Sequence, residues 1–311
     1  KSHSHGFVIS LSGGADSAAV ATLCKLMVDF AWHQLGPTEL QKKLSYLDSD
    51  PAPSSPGDWT RRLLACVYQS TRNSSETTRS AASALAGALE AEYYEFDVDT
   101  LVQGYVETVE GAIGRKLSWQ DDDIALQNIQ ARTRAPGIWL LANLRQALLL
   151  ATSNRSEAAV GYTTMDGDTC GGISPIAGID KAFLRTWLEW MESDGPEGNE
   201  AMPALRAINE QQPTAELRPP EQGQTDESDL MPYTVLDAIE RLAIRDKLTP
   251  VEIYQSLAGE HDGGQLAAWI RRFFQLWARN QWKRERYAPS FHLDDENLDP
   301  KTWCRFPILS G

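Results

Sequence analysis

Ser12-Gly13-Gly14-Ala15-Asp16-Ser17 follows Phe7-Val8-Ile9-Ser10-Leu11, an apolar run of strand length, and precedes Ala18-Ala19-Val20-Ala21-Thr22-Leu23, which reads as the first turns of a helix. A strand, a tight glycine turn and a helix N-terminus make an anion cradle. Glycine lets the backbone approach an oxyanion, and the first-turn N–H groups face it with the helix dipole behind them. Ser12 and Ser17 add hydroxyl donors. Asp16 is the odd member, because a carboxylate beside a phosphate repels it unless a cation lies between. The stretch therefore predicts a bound pyrophosphate group with Mg²⁺, and Asp16 as one metal ligand. It has neither the Lys of a P-loop after the second glycine nor the three spaced glycines of a dinucleotide fingerprint. A Gly-Gly turn with no ligand is the plain alternative.

Outward from this turn, apolar runs alternate with helical patterns. Leu63 to Tyr68, Tyr93 to Val98 and Ala147 to Ala151 read as further strands. Ser75 to Glu92, Asp99 to Gly111 and Asp121 to Leu144 read as helices, and Pro51 to Gly57 as a loop-type insertion. Strands alternating with helices predict an α/β fold, a doubly wound parallel sheet with helices on both faces. Ligands in such sheets sit beyond the carboxyl ends of the strands, where strand order reverses. The region from Glu192 to Pro232, rich in Pro, Gly, Glu, Gln and Asp, reads as a mobile lid. The rest, 233–311, reads as a helical C-terminal part: Tyr233 to Ile244, Pro250 to Leu257 and Gln265 to Arg286. In the last of these, Leu266, Trp269, Ile270, Phe273, Phe274 and Trp277 form a stripe for core or a subunit interface.

Composition bounds the partners. At 311 residues the chain can bury one large core, or one core and an appendage. The net charge of −14 argues against nucleic-acid binding, which needs a cationic surface. No apolar run approaches the roughly 20 residues of a membrane span. Cys24, Cys66, Cys170 and Cys304 have no metal-ligand spacing, and a reducing, cytoplasmic setting is expected. Lys1-Ser2-His3-Ser4-His5 leads straight into the first strand with no secretory segment, as in a fragment or processed chain.

Asn128 and Arg132 share a helix face and could be an ordinary solvated i,i+4 pair. The fourth strand ends in Thr152-Ser153-Asn154-Arg155-Ser156-Glu157, which brings hydroxyls to the crevice and places Glu157 where it can complete the metal shell begun by Asp16. Asn128-Ile129-Gln130-Ala131-Arg132, Thr152 to Glu157, Gly161-Tyr162-Thr163-Thr164, Gly167-Asp168 and Pro213-Thr214-Ala215-Glu216-Leu217 occur in this order after an SGGxDS loop. Gln224-Thr225-Asp226-Glu227 and Trp282 to Pro289 extend the series. Together these motifs closely resemble the NAD synthetases, and in particular the synthetase domain of the glutamine-dependent form, from about Phe7 to the C-terminus.

The resemblance implies a single synthetase domain over 1–311, with ATP in the crevice and Ser10, Leu11, Ser12, Gly13, Gly14, Ala15, Asp16 and Ser17 wrapping its phosphates. It implies Asp16 and Glu157 as the Mg²⁺ carboxylates. Thr152, Lys181 and Thr214 match ATP contacts, and Arg72 is the matched polar contact on the adenine side. Asn128, Arg132, Glu157, Tyr162, Asp168 and Lys283 match positions around the dinucleotide substrate, deamido-NAD. In the implied reaction the nicotinate carboxylate attacks the α-phosphorus of ATP, pyrophosphate departs, and ammonia displaces AMP to give NAD. Asp168 is the candidate for holding the incoming ammonium, or equally a turn-capping carboxylate.

The resemblance also implies a homodimer. The glutaminase domain that precedes the longer family form is not in this chain, so free ammonia is the expected nitrogen donor unless a glutaminase domain or subunit supplies it. Two other readings stand beside this one: a different SGGxDS-loop ATP pyrophosphatase, and a non-catalytic adenine-nucleotide sensor.

Overall fold

The computed structural model describes residues 4–47, 53–219 and 225–301. Four parallel strands, β1 Phe7–Ser10, β2 Leu64–Ser70, β3 Glu92–Asp97 and β4 Leu148–Leu150, lie side by side in the order β3-β2-β1-β4. Helices fill the connections: α1 Ala15–Lys43 and α2 Pro56–Leu63 before β2, α3 Glu76–Ala88 before β3, then α4 Asp99–Ile113 and α5 Asp123–Leu144 before β4. Beyond the sheet come α6 Arg155–Val160, α7 Lys181–Ser193, α8 Arg206–Asn209, α9 Asp226–Asp229, α10 Tyr233–Glu240, α11 Pro250–Leu257, α12 Gly263–Arg279 and α13 Gln281–Arg284. No helix among the described residues is long and apolar enough to cross a membrane.

The period-2 alternation of the strands sorts side chains between two layers. Ile9, Leu64, Cys66, Tyr68 and Leu150 join a core with Ala18, Ala82, Leu85, Leu184 and Leu188 of α1, α3 and α7. Val8, Ala65, Val67 and Leu149 pack on the opposite face against Ile138 and Ala142 of α5. Both faces are covered, as a parallel sheet requires. The chain runs outward from β1 to β3 and then returns to add β4 on the other side of β1. Strand order therefore reverses between β1 and β4, and the turns after these two strands flank one crevice.

A second apolar core is helical. Ala158, Ala159 and Val160 of α6 pack with Val235, Leu236 and Ile239 of α10, Ile253 and Leu257 of α11, and Leu266, Ile270, Phe273 and Trp277 of α12. The aromatic stripe of α12 is thus core. Arg155, 3% exposed, joins this region to the sheet. Its guanidinium meets Asp180 at 2.9 Å, Glu240 at 3.0 Å and Glu296 at 2.7 Å, which lie at the cap of α7, on α10 and in the C-terminal segment.

Several boundaries differ from the sequence reading, each for a local reason. Part of the Pro51–Gly57 insertion is helical, because Ser55 caps Asp58 N–H and Pro56 sits at the first helical position of α2; residues 51 and 52 lie outside the description. The helix read from Ser75 to Glu92 stops at Ala88, with Glu90 at φ 58°, and β3 starts at Glu92. The Glu192–Pro232 region carries the end of α7, a 3₁₀ turn at Pro203–Leu205, α8 and α9. The C-terminal part is not helical throughout: the long last helix breaks at Asn280, and no helix follows α13 among the described residues.

Replacing the buried Arg155 by Met leaves Asp180, Glu240 and Glu296 facing one another without their cation. The expected cost is roughly 3–5 kcal/mol, measured as a lower midpoint of urea unfolding at neutral pH. An unchanged midpoint would show that the carboxylates do not need this cation.

Candidate active site

The turn after β1 is shaped by hydroxyls. Ser12 N–H donates to Ser17 Oγ at 3.1 Å, the two serine hydroxyls lie 3.0 Å apart, and Ser17 Oγ also donates to Gly14 C=O at 3.2 Å. Gly13 has φ 83°, and a Cβ there would lie 2.1 Å from the backbone oxygen of Thr78, so no other residue fits. Gly14 is the N-cap of α1 and has no side chain to cap it, so the first-turn amides of Ala15, Asp16 and Ser17 receive no side-chain hydrogen bond. The flanking helices differ: Asn154 caps α6 and Asp180 caps α7. Unlike α6 and α7, α1 has no side-chain cap at its positive end, and Gly14 to Ser17 line the cavity.

One asparagine ties the two turns together. Asn154, fully buried, donates from Nδ2 to Asp16 Oδ1 at 2.9 Å and accepts Glu157 N–H on Oδ1 at 2.9 Å. Lys181 Nζ pairs with Asp16 Oδ2 and lies 3.4 Å from Glu157 Oε1. Ser156 Oγ and Asp237 hold the backbone of α7's first turn, accepting Lys181 N–H at 2.8 Å and Ala182 N–H at 3.0 Å. Tyr233 lies under the ammonium, 5.6 Å from ring centroid to Nζ.

Asp226 completes the cluster from α9. It is 6% exposed, Tyr233 Oη donates to its Oδ2 at 3.2 Å, and its Oδ1 is buried with no partner. Burial, with Asp16 nearby, pushes the Asp226 carboxyl up to about 6, against the pull of Lys181. Burial and the neighbouring Asp16 likewise drive the Glu157 carboxyl well above the ordinary range. Three carboxylates face one ammonium, which leaves the cluster short of positive charge. Among the described residues no three His, Cys, Asp or Glu side chains converge as ligands. Two oxygen-bearing carboxylates and one orphaned oxygen fit Mg²⁺, which uses one or two protein carboxylates and takes its other ligands from phosphate and water.

Helix α5 and the segment after α8 close the cavity. Ala131, Arg134, Ala135 and Ile138, on one helical face, line it, as do Pro213 to Leu217. Leu217 C=O accepts from Gln130 Nε2 at 2.6 Å and Asn73 Nδ2 at 3.1 Å. Glu216 Oε2 accepts from Thr78 Oγ1 at 2.9 Å and Ser75 N–H at 3.3 Å. The turn from Gly161 to Cys170 supplies a further wall. There Thr164 N–H donates to Asp168 Oδ2 at 2.8 Å, and burial raises the Asp168 carboxyl, with Arg134 and Lys283 opposing.

Most predicted residues come together. Ser10, Ser12, Gly14, Ala15, Asp16, Ser17, Thr152, Glu157, Tyr162, Asp168, Lys181 and Thr214 line the cavity. Leu11 and Gly13 shape the turn from behind: Leu11 is fully buried and Gly13 lies against Thr78. Asn128, Arg132 and Lys283 gather on the outer side of the Gly161–Cys170 wall. Asn128 accepts from Thr164 Oγ1 at 2.9 Å, Arg132 donates to Met165 C=O at 3.1 Å, and Lys283 donates to the carbonyls of Gly161 and Thr163 at 2.7 and 2.8 Å. Arg72 lies apart from the cavity lining, its guanidinium bound to Asp99 at 2.8–3.1 Å. Sequence reasoning gave no role to Asn154, Gln130, Arg134 or Asp226. Only their places inside the quoted motifs pointed to the first two and the last, and Arg134 had no signal beyond lying one turn from Ala131.

An open helix N-terminus, a glycine turn and a carboxylate cluster lie together at the switch point of a doubly wound α/β protein. The profile of the NAD synthase family matches residues 1–286, and the chain belongs to that family. The glutamine-dependent NAD(+) synthetase of Saccharomyces cerevisiae is 30% identical over 98% of this chain and 46% of its own length. The crystal structure of a glutamine-dependent NAD(+) synthetase from Cytophaga hutchinsonii aligns with a TM-score of 0.86 at 45% identity, over 99% of this chain and 50% of that one. The NH3-dependent NAD synthetase of Campylobacter jejuni, 19% identical with a TM-score of 0.54 over 90% of this chain and 87% of that one, shares the fold. The chain thus spans about half the length of the longer relatives.

Asp226 gives the site a pH signature. Between the ordinary aspartate value of 3.8 and about 6, the folded protein keeps a proton that the unfolded chain has released. Its contribution to stability therefore falls as pH rises through that window. Asp226→Asn removes the effect while Tyr233 Oη keeps an acceptor. The variant's melting temperature should match the parent's near pH 4 and exceed it by a few degrees at pH 7 without ligands; a pH-independent difference would refute the assignment.

Proposed function

We propose that the chain is the NAD-forming half of a glutamine-dependent NAD synthetase, a ligase that uses ATP to amidate deamido-NAD. The observation that carries the reading is the cavity itself. It brings the open N-terminus of α1, Asp16, Glu157 and Lys181 together with Thr214 on the docked segment, and faces them with Tyr162 and Asp168. Family membership supports the reaction, and the geometry supports the roles.

The ATP phosphates lie against the amides of Ala15 to Ser17 and the hydroxyls of Ser12 and Ser17. Asp16 and Glu157 would hold a Mg²⁺ ion, which when bound would supply positive charge to the departing pyrophosphate. The Lys181 ammonium, beside both carboxylates, is placed to meet phosphate oxygens. The nicotinate carboxylate forms a bond to the α-phosphorus as the bond to pyrophosphate breaks. Ammonia then attacks the carboxyl carbon, AMP leaves with the transferred oxygen, and Asp168 takes the proton that the new amide nitrogen loses. Asn128, Arg132, Tyr162 and Lys283 hold the dinucleotide. No nucleophilic side chain is needed, since the work is positioning and charge compensation.

The segment from Pro213 to Leu217 is read as a lid. The cavity beneath it measures about 210 Å³, below the roughly 300–1,000 Å³ of sites for single drug-sized ligands, so entry of ATP requires this segment to lift from Asn73, Thr78 and Gln130. A homodimer fits the surface. Leu101, Tyr105, Val109 and Ile113, spaced four apart on α4, are all about half exposed, and Leu140 and Leu144 of α5 lie 60% and 74% exposed. Such a stripe calls for a cover, and α5 also carries Asn128 and Arg132. Free ammonia serves this half, and a glutaminase domain or subunit would deliver it from glutamine.

Incubation with Mg-ATP, deamido-NAD and an ammonium salt should yield NAD, AMP and pyrophosphate in equal amounts by chromatography; ADP in place of AMP would overturn the reading. Asp16→Asn should lower turnover by roughly 10³-fold or more with an unchanged circular dichroism spectrum. Turnover within tenfold of the parent would remove Asp16 from the metal site.

A further inference from the structure

Arg134 is a half-buried cation in the cavity wall that the assignments above leave without work. It sits on the cavity face of α5, one turn before Ile138. Its Nε is buried without a hydrogen-bond partner, and no hydrogen bond or ion pair joins its guanidinium to a described residue. Asp168, Tyr68 and Glu216 are its electrostatic neighbours. Each is engaged elsewhere: Asp168 by Thr164 N–H, Tyr68 by the Thr78 hydroxyl, and Glu216 by Thr78 and Ser75. The contrast with Arg155 is direct, since that buried guanidinium meets four carboxylates.

A buried donor with no partner is costly in the folded protein, so folding does not explain the placement of the Arg134 Nε. The cavity already has a paired cation in Lys181, bound to Asp16 and Glu157. Arg185, one turn further along α7, lines the cavity and is partly exposed, as Arg134 is, but of the two only Arg134 has a guanidinium nitrogen buried without a partner. A guanidinium cannot shed its proton at working pH, and its planar fork matches carboxylate and phosphate oxygens in pairs.

We propose that Arg134 is the oxyanion-binding residue of the cavity, donating to a phosphate or carboxylate oxygen of the reacting substrates at the junction between the α1 turn and the Asp168 loop. Its donors are kept free in the absence of ligand by the engagement of every acid around it. The proposal rests on the synthetase reading for the identity of the two substrates. The unpartnered guanidinium in the cavity wall does not.

The test uses Arg134→Met, which keeps length and apolar contact, and Arg134→Lys, which keeps the charge but not the fork. Three quantities are measured: the ligand-free melting temperature, the thermal shift with Mg-ATP and with deamido-NAD separately, and steady-state kinetics. Arg134→Met should melt at or above the parent temperature, because an unpaired buried donor is gone. Its kcat/KM should fall by roughly 10²–10³-fold, with Arg134→Lys in between. Loss of the Mg-ATP shift alone assigns the oxyanion to ATP, and loss of the deamido-NAD shift alone assigns it to the dinucleotide. A fall in kcat with both shifts intact assigns it to charge formed during the reaction. A lower melting temperature for Arg134→Met, or kcat/KM within threefold of the parent, overturns the proposal. If the parent chain shows no turnover, the synthetase reading fails, while the thermal shifts still decide whether Arg134 meets an oxyanion.

Discussion

The bridge from Asp16 through Asn154 and Lys181 to Glu157 is what the rest of this site depends on. It crosses the place where strand order reverses, so it joins the turn after β1 to the turn after β4. Without it, the two carboxylates would repel across the crevice and the turns that carry them would have no common reference. The bridge is also unfinished. One ammonium faces Asp16, Glu157 and Asp226, and one carboxylate oxygen of Asp226 is buried without a partner. In the proposed function a cation bound with the ATP phosphates would complete such a site. Buried charge that folding alone does not reward is a mark of function.

The same division appears elsewhere in the molecule. Arg155 is a cation fully matched by carboxylates, and it fastens the helical part to the sheet. Arg134 is a cation matched by none, and it faces the cavity. Helices α6 and α7 are capped by Asn154 and Asp180, whereas α1 is not capped. The capped helices and the paired Arg155 belong to the frame, whereas the uncapped turn of α1 and the unpaired Arg134 line the cavity. The overall charge of −14 is no obstacle to a polyanionic ligand, because what the ligand meets is this local arrangement of open amides and cations.

Much of the fold was legible from local pattern. The strand runs, the glycine turn and the alternation with helices announced the sheet, its parallel sense and the place of its crevice. Asp16, Glu157 and Lys181 were legible because the motifs that carry them keep a characteristic order. Other residues were not, and the causes are physical. Asn154 matters through two hydrogen bonds to residues 138 positions earlier and three later, and sequence periodicity reports only the second. Gln130 is buried and Arg132 exposed on one helix, a distinction set by where Leu217 docks. The pairing of Arg72 with Asp99, 27 residues away, leaves no local pattern. The short elements among the described residues of the Glu192–Pro232 region were not legible, because they rest on short caps and on contacts with α3 and α5, neither of which leaves an apolar period.

The central claim is that the site joins the substrate carboxylate to the α-phosphorus of ATP. Deamido-NAD labelled with ¹⁸O in its nicotinate carboxylate tests it most directly, with the products of a single turnover read by mass spectrometry. The account requires one labelled oxygen in AMP and none in pyrophosphate. Label in pyrophosphate or in inorganic phosphate, or unlabelled AMP beside newly formed NAD, would contradict it.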